Sequence, residues 1–437
     1  MQFFITEVIV KLKKLIKIII IFLILDFIIF SSRCYATDLE LYSNSAILIE
    51  KDSGKILYSV NENEKMYPAS TTKVLTAIIA IENLPLDKKL TASYNAIMSI
   101  PAGYSNAAIQ IGESLTVKEL LEVFLVHSAN EAGYILAEDI SGSISEFANL
   151  MNKKAEKIGC KNTHFTNPSG LHDENHYTTA YDLALIARYC MKNETFRKIV
   201  SMSSCTIAAT DKYEERYFKN TNEMLNPKSE YYNENIIGIK TGYTRQAQNC
   251  LISAIQKNGI ELISVVLGSP ASVGEKGVSG KYTDTQTLFD YGITNFGYKN
   301  LIKAGQIITQ VNVKHSTEDT KNLDLIAEKA IEVFSNNSLS SDLEPKIILV
   351  ENISAPIKAN TVLGTITYTI DGINYTSNLL AKNDVESSPY LQNVLKIIFA
   401  VIILIIVYKL MYSGKNKNKN KKIKKSGENY LYGRVKY

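Results

Sequence analysis

Two apolar runs stand near the ends of this chain and leave the residues between them to form whatever core it has. The first, residues 18–30, follows four lysines between Lys11 and Lys17, and Cys34-Tyr35-Ala36 beyond it has the small-x-small pattern of a signal-peptidase site. This reads as an export signal over residues 1–36. Asp26 inside the run leaves an uncleaved anchor as the competing reading. The second run, residues 394–411, has Lys396 and Lys409 near its ends and approaches the ~20 residues that a bilayer span needs. Lysines crowd the side after it, which makes that side cytoplasmic by the positive-inside rule. A surface-lying amphipathic helix is the rival, but residues 397–407 are apolar on every face. The sequence therefore predicts a single-pass protein of the cell membrane, with its folded part outside the cytoplasm.

Charge follows the same division. Residues 1–36 carry +3 and residues 413–437 carry +8, against +4 for the whole chain, so the stretch between them is acidic at −7. A nucleic-acid surface needs clustered positive charge on the folded part, and none is there. After signal removal four cysteines remain, Cys160, Cys190, Cys205 and Cys250, at spacings that match no zinc pattern. They read as buried thiols, with one disulfide open to them outside the cell. The five histidines lack the helical H-E-x-x-H arrangement. Neither a metal nor a cofactor is expected.

The texture of the folded stretch changes twice. Residues 46–49 and 56–58 flank the turn Asp52-Ser53-Gly54 as a β-hairpin. From Ser70 to about residue 200, apolar positions recur at helical spacing, as in Val74, Leu75, Ala77, Ile78 and Ile79. Strand patterns return at 236–241, 250–254 and 262–267, before a helix over about 284–295. Strands at both ends of a helical middle predict an α/β (α+β) domain with an antiparallel sheet. Beyond residue 301 short alternating strands take over, with Asp371-Gly372 at a hairpin turn. Ser387-Ser388-Pro389 reads as a short linker to the apolar run.

Three short pieces carry chemistry. Ser70-Thr71-Thr72-Lys73 is the sole S-x-x-K, and three residues along a helix put both side chains on one face. A neutral lysine amine there can reach the serine oxygen. Ser128-Ala129-Asn130 lies between two helical patterns. Ser93-Tyr94-Asn95 and Ser335-Asn336-Asn337 share its spacing but stand out of order with the other pieces. Lys240-Thr241-Gly242 is the sole K-T-G, on a strand whose glycine leaves room for a ligand along the edge. Taken singly, each piece is better explained as a helix cap or a strand end. In this order, and on these elements, they form the motif set of the penicillin-recognising acyl enzymes.

Flanking residues narrow the likeness. Residues 64–70, 166–171 with His176 and 179–182, and 238–244 resemble the low-molecular-mass D-alanyl-D-alanine carboxypeptidases, a resemblance that runs from about residue 42 to about 386. It implies a penicillin-recognising transpeptidase/β-lactamase-like fold with an antiparallel sheet and a helical subdomain, then a small all-β domain and a C-terminal membrane helix. The implied divisions are a signal peptide over 1–36, a carboxypeptidase catalytic domain over 37–297, a β-rich domain over 298–387, a membrane helix over 391–412 and a basic cytoplasmic tail over 413–437. The resemblance also implies roles. Ser70 is the nucleophile, Lys73 its general base and Ser128 the proton relay to the leaving D-alanine. Asn130 holds Lys73 and the substrate amide. Lys240 and Thr241 clamp the terminal carboxylate, Gly242 leaves room for the substrate along the strand, and the N–H groups of Ser70 and Tyr243 form an oxyanion hole. Asp182 orders a loop. The implied partners are a peptidoglycan stem peptide ending in D-Ala-D-Ala, β-lactams, and the membrane.

Four departures stand out. Ala247-Gln248 replaces the usual Ala-Gly after the strand, and Glu131 stands where aspartate is common. Asn220-Thr221-Asn222 lacks the arginine that some relatives use on the substrate carboxylate, which leaves Arg245 as a substitute. The anchor spans where several relatives lie on the surface. A β-lactamase is the first rival, but Glu223-Met224-Leu225-Asn226 is one residue short of its E-x-x-L-N loop. A transpeptidase would normally be a larger chain. A non-catalytic wall-binding protein would not need every motif residue to be present.

Overall fold

A computed structural model describes residues 39–427, apart from 275–276 and 340–342. The predicted signal segment lies outside the described residues. The chain divides into two compact units, Met1–Asn295 and Phe296–Tyr437.

In the first unit, β1 (Ser45–Glu50) and β2 (Ile56–Val60) form the expected hairpin. A 3-10 turn, Ala69–Thr72, runs straight into α1 (Lys73–Asn83), and the small ribbon β3 (Lys89–Thr91) with β4 (Ser114–Thr116) brackets α2 (Tyr94–Met98). Next come α3 (Val117–Val126), α4 (Asn130–Ser141), α5 (Ile144–Ile158), α6 (Ala180–Cys190) and α7 (Glu194–Val200). A second ribbon, β5 (Ser204–Ile207) with β6 (Arg216–Lys219), leads to β7 (Ile236–Thr244), β8 (Gln248–Lys257), β9 (Ile260–Ser269) and α8 (Gly280–Asn295). Local sequence sets these boundaries. Thr116 and Glu119 form a reciprocal capping box at the start of α3, while Ser143, Thr179 and Asn193 cap α5, α6 and α7. Gly142 and Gly159 end α4 and α5 in the left-handed conformation.

The main sheet is antiparallel, in the order β2-β1-β9-β8-β7. Alternation along its strands decides which helices cover which face. Ile47, Ile49, Ile263 and Val265 join the helical core around α1, whereas Leu48 and Leu262 meet Gly292 of α8. A Cβ on Gly292 would come within 2.5 Å of Leu262, so glycine lets α8 settle onto the sheet. The strand β7 is left as a free edge beside the 3-10 turn.

The second unit opens with β10 (Phe296–Ile302). It continues through β11 (Ile307–Asn312), β12 (Asn322–Ala327), β13 (Ile331–Asn336), β14 (Lys346–Leu349), β15 (Val362–Ile370) and β16 (Ile373–Ala381). β10 pairs with β13, and the other five form a sheet in the order β11-β12-β16-β15-β14. Leu323, Leu325, Val333, Ile366 and Leu379 lie in its core. The Asp371-Gly372 turn has positive φ at both residues, as a two-residue hairpin loop requires. The expected linker is not free: Ser387 bridges to Ser316, and Ser388 N donates to His315 O at 2.7 Å. The final helix α9 (Pro389–Gly427) starts immediately afterwards and continues beyond residue 412, where the apolar run ends.

Candidate active site

The chemistry-bearing residues converge where the edge strand β7 passes the start of α1. Ser70 sits in the 3-10 turn and Lys73 is the first residue of α1, so both face the same way. Ala69, just before the serine, has φ 47°, a sparsely populated conformation for a residue with a Cβ. The loop 166–171 supports this turn. Asn167 Oδ1 accepts from the N–H groups of Gly170 at 2.8 Å and Leu171 at 3.1 Å. A Cβ on Gly170 would fall 1.8 Å from Ala69 O. Behind it His176 Nδ1 accepts from Thr166 N at 3.1 Å, which leaves the proton on Nε2 to donate to Thr72 Oγ1 at 2.8 Å. Burial keeps that imidazole neutral, with its pKa lowered to about 3.

Lys73 is fully buried, and its Nζ has three polar neighbours: Ser70 Oγ at 2.8 Å, Asn130 Oδ1 at 2.7 Å and Ser169 O at 2.7 Å. Burial, then the charge of Lys240, push its pKa well below the usual lysine range, and Glu131 opposes them. Asn130 starts α4 and also donates from Nδ2 to Ser105 O at 2.8 Å, which ties the cleft wall to the base. Ser128, in the left-handed region at φ 70°, projects from the junction of α3 and α4 into the cleft. Glu131 is buried and accepts from Ala107 N at 2.5 Å, and desolvation raises its pKa.

Across the cleft, Lys240 Nζ donates to Thr221 Oγ1 at 3.3 Å and Thr241 O at 3.1 Å, and the two threonine hydroxyls are 2.6 Å apart. Burial, helped by Lys281, lowers the Lys240 pKa to about 7. A Cβ on Gly242 would stand 3.0 Å from both Pro68 O and Ser70 N, so a side chain here would crowd β7 against the nucleophile turn. The cleft between these walls measures about 630 Å³. Ser70, Ser128, Thr221, Thr241, Tyr243 and Lys281 line it, together with Arg245 at its rim. Ser70, Lys73, Ser128, Asn130, Lys240, Thr241, Gly242 and Tyr243 thus lie around one cleft.

Four participants escaped the sequence reading. The Ser169 carbonyl leaves no side-chain signature, and Glu131 read only as a motif variant. Thr221 was noted only for the arginine missing beside it. Lys281, on the first turn of α8, belongs to no motif. It adds a further basic side chain to the cleft, beside Lys240 and Arg245. Asp182 acts through the loop, as expected: it accepts from Asn162 N at 2.8 Å and from Thr163 Oγ1 at 2.7 Å.

Comparison with known proteins gives matches for both units. Residues 33–271 match the family described as D-alanyl-D-alanine carboxypeptidase, and residues 296–387 match penicillin-binding protein 5, C-terminal domain. The D-alanyl-D-alanine carboxypeptidase DacF of Bacillus subtilis (strain 168) is 34% identical over 358 residues, covering 80% of this chain and 87% of that protein. DacA of Haemophilus influenzae is 30% identical over 356 residues, covering 79% and 86%. The crystal structure of penicillin binding protein 5 from Haemophilus influenzae superposes with a TM-score of 0.60 at 29% identity, over 80% of this chain and all of that one.

Proposed function

The chain belongs to the D-alanyl-D-alanine carboxypeptidase family, and from that premise we propose how its cleft performs the reaction. The protein is a serine peptidase that removes the terminal D-alanine from peptidoglycan peptides, and β-lactams bind it as substrate mimics. The observation that carries the residue assignment is the buried Lys73 amine, 2.8 Å from Ser70 Oγ with two carbonyl oxygens as its other neighbours.

The substrate lies along the edge of β7, with its terminal carboxylate held by Lys240, the Thr241 hydroxyl and Lys281. Ser70 Oγ attacks the carbonyl of the penultimate D-alanine while its proton passes to Lys73 Nζ. The N–H groups of Ser70 and Tyr243 receive the developing oxyanion, an interaction typically worth ~10²–10³ in rate per donor. Ser128 relays the proton to the departing amine, D-alanine leaves, and an ester on Ser70 remains. Water, deprotonated through the same lysine, then cleaves that ester and restores the serine. Glu223, the nearest match to a β-lactamase-type base, is not among the residues that line the cleft.

We place this catalytic unit outside the cytoplasmic membrane, held by residues Asn393–Tyr412, which are long and apolar enough to cross a bilayer. Tyr390 and the pair Tyr408 and Tyr412 stand near the two ends of that stretch, the positions that interfacial aromatics favour. The direct test incubates the protein with a pentapeptide ending in D-Ala-D-Ala and measures free D-alanine. Ser70→Ala is expected to lose both release and covalent penicillin labelling, and labelling of that variant at the wild-type rate would remove Ser70 as nucleophile.

A further inference from the structure

The apolar surface of β14 has no role in the reaction and, among the described residues, little cover from the second unit. Ile347, Ile348, Leu349, Val350 and the neighbouring Val362 are each between 38% and 52% exposed. β14 is an edge strand, and successive side chains point to opposite faces, so it is apolar and open on both. Soluble proteins usually blunt such edges with charge or proline. Here Pro345, Lys346 and Glu351 only flank the strip.

Register tells which end of the unit this strip occupies. Leu349 pairs with Gly364, and Val350 N donates to Leu363 O at 2.9 Å. Val362 pairs with Leu380, while the β15–β16 turn lies at the opposite end, where Ile370 meets Ile373. From Ala381 the chain stays at the Val362 end: Asn360 N donates to Ala381 O, Ile357 bridges Val385, Lys314 bridges Ser354 and Ser316 bridges Ser387. The apolar stretch of α9 begins at Asn393, so the tether from the fixed Ser387 is no more than about 20 Å. The exposed strip runs from the middle of β15, where Ile347 pairs with Ile366, to the Val362 end, and that is the end from which the chain leaves for the apolar helix.

We propose that the β14 edge, Ile347–Val350 with Val362, beds into the membrane interface as a second, non-helical contact with lipid. This rests on reading Asn393–Tyr412 as the anchor. Apolar side chains on both faces suit the boundary between headgroups and acyl chains, which interfacial segments enter by ~5–10 Å. Glu351 and Asn352, which follow the strip, stay at headgroup level and limit its depth. The contact holds the β unit against the bilayer at two points rather than one.

The chain contains no tryptophan, so single substitutions report without background. Full-length Ile348→Trp, Ile373→Trp and Leu404→Trp, each shown to be folded by penicillin labelling, are reconstituted in vesicles with and without brominated acyl chains. Val350→Trp replaces Ile348→Trp if that variant does not label. The proposal expects the residue-348 probe to emit at shorter wavelength than the residue-373 probe and to lose much of its emission to brominated lipid. The residue-373 probe, at the far end of the sheet and ~17 Å along the strands from the Ile348 pairing position, should remain solvent-like and unquenched. A residue-348 probe that is blue-shifted but unquenched would show contact with protein, such as a second copy, and overturn the proposal. So would a solvent-like probe at 348, or equal quenching at 373. An unquenched probe at 404 would instead bring down the anchor itself, and this inference with it.

Discussion

Lys73 Nζ is surrounded by two carbonyl oxygens, which can only accept, and one hydroxyl, which can also donate. A neutral amine fits that set, giving two N–H bonds to Asn130 Oδ1 and Ser169 O and a lone pair to the Ser70 hydroxyl. The depressed pKa makes that form easier to reach than for an ordinary lysine, and acidification removes it. Acylation by a fluorescent penicillin should therefore slow as pH falls through the Lys73 pKa. Lys73→Arg, protonated throughout, should acylate slower by ~10² or more; labelling at the wild-type rate would refute the lysine base. Glu131 raises the Lys73 pKa, so Glu131→Gln, which keeps an acceptor for Ala107 N, should move the acid limb of that profile to lower pH. A limb that stays put would mean the carboxyl is neutral at those pH values. A stability prediction comes from Gln248, which takes the place of the usual glycine and has φ 56° with its side chain exposed. Gln248→Gly relieves that conformation and should stabilise the fold by about 1 kcal/mol in thermal or denaturant unfolding, with the penicillin labelling rate unchanged.

The nucleophile turn keeps its place because three elements press on it: the start of α1, the edge strand β7 and the loop 166–171. Glycine makes two of those approaches possible. Gly170→Ala would put a Cβ 1.8 Å from Ala69 O at a position that also needs φ 80°. It should destabilise by about 2 kcal/mol or more and slow penicillin labelling even where the protein is still folded. Unchanged acylation would show that the loop does not set the serine geometry. These elements differed in how far the sequence disclosed them. Ser70, Lys73, Asn130 and Lys240 were legible because their chemistry depends on side-chain identity at fixed spacing along one helix or strand. The antiparallel sheet was legible from strand patterns at both ends of a helical middle. Ser169 was not, because it contributes a backbone carbonyl, and any residue offers one. Lys281 escaped for another reason: it reaches the cleft only through the packing of α8 on β8 and β9, which no local pattern encodes.

At the scale of the whole chain, everything in the catalytic cleft lies before Asn295, and the apolar helix lies some hundred residues later in the second unit. Nothing in the proposed proton path or carboxylate site draws on residues beyond Lys281. A chain ending at Ser387 keeps the Ser316–Ser387 bridge and the whole β core, and removes Ser388, α9 and the residues after it. It should be released from the membrane and retain full D-alanine release from small peptides. Its activity on intact wall should fall, because the anchor fixes the enzyme's distance from the substrate layer. The full-length protein supplies the topological half of the test. If the 20-residue stretch Asn393–Tyr412 spans the bilayer, the lysine-rich tail after it should face the cytoplasm, and protease added outside should spare a tag placed after Tyr437. A helix lying on the surface predicts the reverse, with the tag digested and the protein washed off by alkaline carbonate. That result would overturn the span and leave the chemistry of Ser70 and Lys73 untouched.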